Sequence, residues 1–396
     1  MKFLSLVADG MGDWPLSELG HRTPLEAAVT PVMDELARTG IVGRCATIPK
    51  SMPPGSDVAN MALLGFDPEK YHTGRGPIEA AAQNLKAGPD DLIWRMNLVT
   101  VEDYGPDGIM RDYSAGHIET EKSRPLVERM QEVVGNDTYQ FIPGIQYRHL
   151  LLQSGGALAP EADLDINPPH DILDKPINKD MQRYSRNPEF WDVLQEAREI
   201  LVKNGTTRAN AVWPWGQGRR LSLPDFEKTF GMKGAVISAV DLIKGLGFAS
   251  GMEVIDVPGA TGLLDTNYEG KVQAALEFLK TGDFVFVHLE GPDECGHGGD
   301  ADDKREAIER FDSRVVKPLR EALADEETAW LICCDHYTPC IERTHTKDPV
   351  PFIVNAPGCE ASGLDHFTEK TADSTGVRVD DGFELLPYAL EHARKK

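Results

Sequence analysis

F-L-S-L-V-A-D-G-M-G-D, residues 3–13, is an apolar run that stops at an aspartate followed by glycines. A short run of this kind, Phe3 to Ala8, suits a buried parallel strand. Asp9 stands where that strand ends, just ahead of Gly10 and Gly12. The same grammar returns near the other end of the chain. Asp283 to Leu289 reads as a strand, followed by a glycine-rich loop carrying Asp293 and His297. Thr328 to Cys334 reads as a strand that ends at Asp335 and His336. Ligands of open parallel sheets bind outside the carboxyl ends of the strands. Three separate strands are therefore expected to bring Asp9, Asp293 and Asp335 to one edge.

Outward from these strands, apolar runs alternate with helical patterns. Pro24 to Arg38 reads as helical segments interrupted at Pro31, with Gly40 as a stop. Ile41 to Ile48 reads as a second strand, and Asp57 to Leu64 as a short helix with Ser56 at its N-cap. Ala235 to Gly245 carries a signal that is either strand or helix. Gly270 to Lys280, Asp302 to Ala324 and Phe383 to Ala393 read as helices, and Val350 to Asn355 as a strand. This alternation predicts an α/β fold, a parallel sheet covered by helices on both faces. The middle is less regular, with N-P-P at 167–169, K-P-I-N at 175–178 and W-P-W-G-Q-G at 213–218. It reads as a separate α+β cap domain, residues 91–219, inserted into a discontinuous core of residues 1–90 and 220–396.

The bulk numbers suit this reading. A chain of 396 residues is comfortable for two domains and can bury a substantial core. Its formal charge of −23 argues against nucleic acid or an anionic membrane as partner, since both need basic patches. An anionic substrate stays compatible, because a pocket of arginine, lysine and metal can be locally positive. The six cysteines form no C-x-x-C pair, which suits reduced, buried thiols rather than a disulfide frame or zinc knuckle. The N-terminus reads as a strand, not a signal peptide, and no apolar run is long enough for a membrane span. The expected compartment is the cytoplasm.

Seven residues carry the chemistry: Asp9, Ser56, Asp293, His297, Asp335, His336 and His345. Three aspartates, three histidines and a serine are what two divalent cations and a nucleophile need. Mixed Asp/His sites suit manganese, magnesium, zinc or cobalt, and the absence of cysteine ligands argues against a structural zinc. Paired metals clamp the attacking and leaving oxygens of a phosphoryl group. Ser56 is the natural nucleophile, because metal coordination can hold its hydroxyl as an alkoxide. A plain helix cap is the alternative reading of Ser56. No G-x-x-x-x-G-K-[ST] loop is present, which excludes a P-loop kinase.

Several stretches carry a family resemblance: D-G-M-G-D at 9–13, T-P-L-E-A-A at 23–28, P-P-G-S-D-V-A-N at 53–60, L-G-F-D-P at 64–68, Y-H-T-G-R-G-P-I-E-A at 71–80 and H-T-K-D-P-V-P at 345–351. With these the chain resembles the archaeal type of cofactor-independent phosphoglycerate mutases, in the alkaline phosphatase superfamily. The resemblance implies an alkaline-phosphatase-like core and a glycolytic and gluconeogenic isomerase. It implies one metal held by Asp9, Ser56, Asp335 and His336, and a second held by Asp293, His297 and His345. Manganese is the expected metal, and no 2,3-bisphosphoglycerate is needed. Ser56 would carry the phosphoryl group while the glycerate reorients under a cap that excludes water. Cap closure would gate the reaction.

The expected partner is a small phosphorylated substrate, with a homo-oligomer left open. Its phosphate and carboxylate call for cations, and the candidates are Arg75, Arg148, Arg208 and Lys233, with His117 beside them. Arg75 stands out because glycines on both sides suggest tight backbone packing near a ligand. The stretch D-Y-S-A-G-H at 112–117 departs from the archaeal pattern, with Tyr113 and His117 where arginines are expected. In this it resembles a bacterial subgroup also proposed to act as a homoserine kinase. Transfer to homoserine or another small alcohol, or plain phosphomonoester hydrolysis, is thus the alternative activity.

Overall fold

The computed structural model describes residues 1–105 and 107–394. In chain order its strands are β1 Lys2–Ala8, β2 Ile41–Cys45, β3 Leu92–Glu102, β4 Ile109–Asp112, β5 Tyr139–Ile145, β6 Arg148–Gln153, β7 Ala211–Arg219, β8 Gly234–Ile237, β9 Glu253–Val254, β10 Phe284–Leu289, β11 Thr328–Cys333, β12 Val350–Asn355 and β13 Arg378–Val379. The chain divides into two compact units, Met1–His72 with Ser222–Lys396, and Thr73–Leu221.

The first unit is built on an eight-stranded sheet of order β13-β2-β12-β11-β1-β10-β8-β9. β1 lies between β10 and β11, parallel to both, with Phe3 level with Phe284 and with Ala329. Its residues from Phe3 to Ala8 are all buried, as a strand inside a two-faced parallel sheet requires. The sheet is not parallel throughout, because β12 runs antiparallel to both β11 and β2. Apolar runs look alike in either direction, so periodicity cannot reveal this. The ambiguous stretch from Ala235 divides into both elements, β8 and then the helix Asp241–Ala249.

The helix expected over Asp302 to Ala324 is broken into Ala301–Phe311, a π-helical turn Asp312–Val316 and Lys317–Ala322. At the turn, the Asp312 carboxylate accepts from the Met33 backbone N–H at 2.7 Å and from that of Val32 at 3.3 Å. These donors open the helix Pro31–Thr39, so an acid supplies the partners its first turn lacks.

The second unit holds a five-stranded antiparallel sheet, with β4, β3, β6 and β5 in sequence and β7 also paired to β3. Pro214 sits in β7, which among the described residues pairs only with β3, an edge position where a missing N–H is tolerated. Trp94, Trp213, Tyr139, Tyr184 and Phe190 are buried in the core of this unit.

The unit boundaries differ from the expected 90/91 and 219/220. Residues 73–90 belong with the second unit because T-G-R-G packs on its backbone. A Cβ at Gly74 would lie 2.3 Å from the Gln217 carbonyl oxygen, and one at Gly76 2.7 Å from the Arg95 nitrogen. The helix Arg75–Ala82 is thereby seated on β3 and β7.

Candidate active site

Asp9 and Asp335 follow the carboxyl ends of β1 and β11, and Asp293 follows β10 within the helix Gly291–Gly298. Because these strands are parallel neighbours, the three carboxylates meet at one edge of the sheet. The segment expected as a glycine-rich loop is this helix, with Pro292 in its first turn and Gly299 in left-handed conformation as its cap. Asp293 and His297 are four apart and share one helix face. Gly296 is tolerated inside the helix because a Cβ there would come 2.3 Å from the Thr338 carbonyl oxygen.

The seven residues form two adjoining clusters. In the first, His336 Nε2 lies 3.4 Å from Asp9 Oδ1, 3.4 Å from Asp335 Oδ2 and 3.1 Å from Ser56 Oγ. In the second, Asp293 Oδ2 lies 3.3 Å from His297 Nε2, and Asp293 Oδ1 lies 3.5 Å from His345 Nε2. The two Nε2 atoms of His297 and His345 are 3.0 Å apart. The His336 and His345 rings join the clusters, with centroids 4.0 Å apart.

Ser56 is not the N-cap. Gly55 holds that position, and Ser56 is the first residue of the helix Ser56–Leu63. Its hydroxyl therefore points at His336 instead of the helix backbone, which removes the plain-cap reading.

Neighbouring groups fix the carboxylates of these clusters. Asp335 accepts from the backbone N–H of Gly10 and of His336 at Oδ1 and from Asn60 Nδ2 at Oδ2. Asp9 Oδ2 faces His288 Nε2 at 3.2 Å, and Lys271 Nζ donates to the His288 carbonyl at 2.9 Å. Lys304, fully buried, donates to the Gly12 carbonyl, the Asp13 carboxylate and the Thr338 carbonyl at 2.8–3.0 Å. One ammonium thus ties the loop after β1 to the loop after β11.

The electrostatics ask for a cation. Burial, with the charges of Asp335, Asp293 and Glu290, raises Asp9 well above the ordinary carboxylate range. Asp9 Oδ1 is buried and makes no hydrogen bond. Burial would lower His297, yet Asp293 outweighs it and lifts the imidazole to about 9. His297 Nδ1 faces the Arg343 carbonyl at 3.0 Å, so Nδ1 carries a hydrogen, and a ring that loses its other proton offers Nε2 to the cluster. Each cluster brings its donor atoms within 4.8 Å of one another, a set of carboxylate oxygens and imidazole nitrogens that suits a divalent ion.

A different cluster occupies the second unit. Arg95 is 6% exposed in the middle of β3, with its guanidinium 4.8 Å from the Trp215 ring centre and 3.1 Å from Glu79. Arg75 lies 5.9 Å from the same ring centre, and Arg148 lies 5.7 Å from that of Tyr147. Burial, with the charges of Arg75 and Arg148, pushes Arg95 down to about 10 in spite of Glu79. Tyr147 meets Tyr113 and His117 edge-on, and His170 meets Tyr113 and Trp215. Arg208 is exposed, its Cδ beside Gly116 in the loop that carries His117.

A β-bulge makes this arrangement. Ile93 pairs with Gly218 and Arg95 with Trp215, so one residue of β3 opposes two of β7. Gly216, at φ +58°, supplies the bend. Sequence reasoning missed Arg95, although a lone arginine inside L-I-W-R-M-N-L-V was the available signal.

Lys233 does not join either cluster. It precedes β8, its carbonyl accepts from the Asp283 and Phe284 N–H groups ahead of β10, and its ammonium lies over Phe278. That is the amino end of the strands, the opposite edge from Asp9, Asp293 and Asp335.

A family model described as 2,3-bisphosphoglycerate-independent phosphoglycerate mutase matches residues 37–206. A protein of that name from Methanosarcina mazei is 45% identical over 99% of this chain and 100% of its own length. One from Geobacter sulfurreducens, named as a probable member, is 42% identical over 99% of this chain and 100% of its own. A solved protein of Pyrococcus horikoshii superposes with TM-score 0.82 at 30% identity, covering 100% of this chain and 98% of that one. Full-length identity at this level shows that the chain belongs to the 2,3-bisphosphoglycerate-independent phosphoglycerate mutase family.

Proposed function

We propose that this protein interconverts 3-phosphoglycerate and 2-phosphoglycerate through a phosphoserine at Ser56. The observation that carries the reading is the Ser56 hydroxyl, 3.1 Å from His336 Nε2 in the first of two carboxylate–imidazole clusters. Asp9, Ser56, Asp335 and His336 would hold one divalent cation, and Asp293, His297 and His345 a second. Manganese is the proposed metal, with magnesium, cobalt or zinc as substitutes. Bound there, the cations would acidify the serine hydroxyl and offset charge on the phosphoryl group.

The chain's own groups account for the remaining steps. Ser56 Oγ forms the bond to phosphorus as the bond to the C3 oxygen of glycerate breaks. The serine proton ends on that oxygen. The C2 hydroxyl then takes the phosphoryl group from Ser56, and its proton returns to the serine. No water is consumed, so shielding phospho-Ser56 from water separates a mutase from a phosphatase.

The guanidinium groups of Arg75, Arg95 and Arg148 suit a carboxylate, which pairs with arginine in a planar two-point contact. His117 and Arg208 are proposed to recognise the same end of the substrate. The formal charge of −23 disfavours nucleic acid, and among the described residues no helix is long and apolar enough to cross a membrane. Cys45, Cys295, Cys333, Cys334 and Cys340 stand as free thiols, which suits a reducing compartment, for which the cytoplasm is proposed.

The test is conversion of 3-phosphoglycerate by manganese-loaded protein, read through an enolase couple without 2,3-bisphosphoglycerate. Turnover is expected, is abolished by a chelator and returns with added metal. Absence of turnover with manganese, magnesium, cobalt and zinc alike overturns the reading.

A further inference from the structure

Thr338 follows the D-H pair after β11 and is fully buried. Its backbone is held on both sides. The N–H donates to the Gly12 carbonyl at 3.3 Å, and the carbonyl accepts from Lys304 Nζ at 2.8 Å. Its hydroxyl lies between the two clusters, bonded to Asp293 Oδ1 and 3.2 Å from His336 Nδ1. A Cβ on Gly10, at φ +62°, would come 2.6 Å from both Asp293 Oδ1 and Thr338 Oγ1. The glycine is what leaves room for this contact.

A threonine hydroxyl has one hydrogen, and an ionised carboxylate can only accept. The hydrogen therefore goes to Asp293, and the oxygen's lone pair faces His336. That lone pair needs a donor, so Nδ1 of His336 must carry the ring hydrogen. Nε2 is left with the lone pair, and it is Nε2 that faces Ser56, Asp9 and Asp335. The opposite arrangement would set two acceptors, Thr338 Oγ1 and Asp293 Oδ1, against each other at a buried contact.

We propose that Thr338 is a positioning residue that fixes the His336 tautomer and, through the same hydroxyl, couples the first metal cluster to the second. This rests on the two-metal reading above. Hydrogen bonds behind metal ligands commonly change affinity by on the order of 10–100-fold. Here one hydroxyl serves a ligand in each cluster, so its loss should weaken both.

The test is manganese titration of full-length wild-type protein, Thr338→Val and Thr338→Ser by calorimetry. Two ions per chain are expected in the wild type. Both affinities should fall by roughly 10–100-fold in Thr338→Val and stay within a few-fold in Thr338→Ser. Equal affinities in Thr338→Val and wild type overturn the proposal. Wild type that binds no metal overturns the two-metal reading, and the proposal with it. Imidazole nitrogen shifts of zinc-loaded wild type give a readout that needs no variant to fold. A hydrogen on His336 Nδ1 supports the proposal, and a lone pair there overturns it.

Discussion

The two units each concentrate charge, and they do so in opposite ways. In the first, Asp9, Asp293 and Asp335 converge from three parallel strands, and burial with their mutual repulsion raises Asp9. In the second, Arg75 and Arg95 gather over Trp215 with one carboxylate, Glu79, between them. Among the described residues, the ion-pair partners of the acidic cluster are imidazoles. The basic cluster is stabilised where it stands, since a guanidinium over an aromatic face gains about 0.5–2 kcal/mol. The first cluster suits a cation, and the second suits an anion.

Ser56→Ala breaks the comparison most severely. It keeps the aspartates and histidines of both clusters and removes the hydroxyl proposed to accept phosphate, so turnover should fall by on the order of 10⁴-fold or more with unfolding temperature unchanged. Retained turnover in the enolase-coupled assay would remove Ser56 from the chemistry. Arg95→Lys sharpens the other side. It keeps the charge but loses the flat stack on Trp215 and the forked donors, so KM should rise roughly 10-fold with kcat less affected. An unchanged KM would leave Arg95 a structural ion pair with Glu79.

The smallest effect tests the second unit alone. His149 is buried in β6, and burial pushes it down from 6.5 to about 3. Between those values the unfolded chain binds a proton that the folded chain refuses. Stability from this group is therefore complete above about pH 6.5 and is lost as pH falls, by about 1.4 kcal/mol per unit. His149→Gln removes the titration and keeps an acceptor for the Gly144 N–H, which His149 Nδ1 serves at 3.0 Å. Denaturant unfolding at pH 6.5 and pH 5 should show the wild type losing about 2 kcal/mol more than the variant. Parallel losses would refute the assignment.

The metal-type residues were legible for a local reason. Asp9, Asp293 and Asp335 stand close after apolar strands, and His297 and His336 are one helical turn or one residue from an aspartate. Lys304 and Thr338 were not legible, because their partners lie elsewhere in the chain. In A-D-D-K-R, Lys304 reads as one more charge on a solvated helix face, yet it is fully buried against Asp13. Arg95 was hidden differently, since its neighbours arise from a bulge that shifts register by one residue. Lys233 was misread because a lysine beside a glycine does not say which end of a strand it occupies. The direction of β12 escaped for a similar reason, as periodicity is the same read either way.

The place of β1 at the centre of its sheet has a consequence for how the protein is made. Its two neighbours are 284–289 and 328–333, so β1 leaves the ribosome long before both of the strands it pairs with. At about 5–20 residues per second, the interval is roughly a quarter of a minute to a minute. Over that time an apolar edge is exposed to aggregation. The strands of the second unit, all within 92–219, are synthesised together and can pair during the wait. The nascent chain is thus expected to carry a finished second unit while Ser56, the proposed nucleophile, is still in an unfolded segment. A partly made copy lacks Asp335, His336 and His345, so neither cluster can assemble before those residues are made.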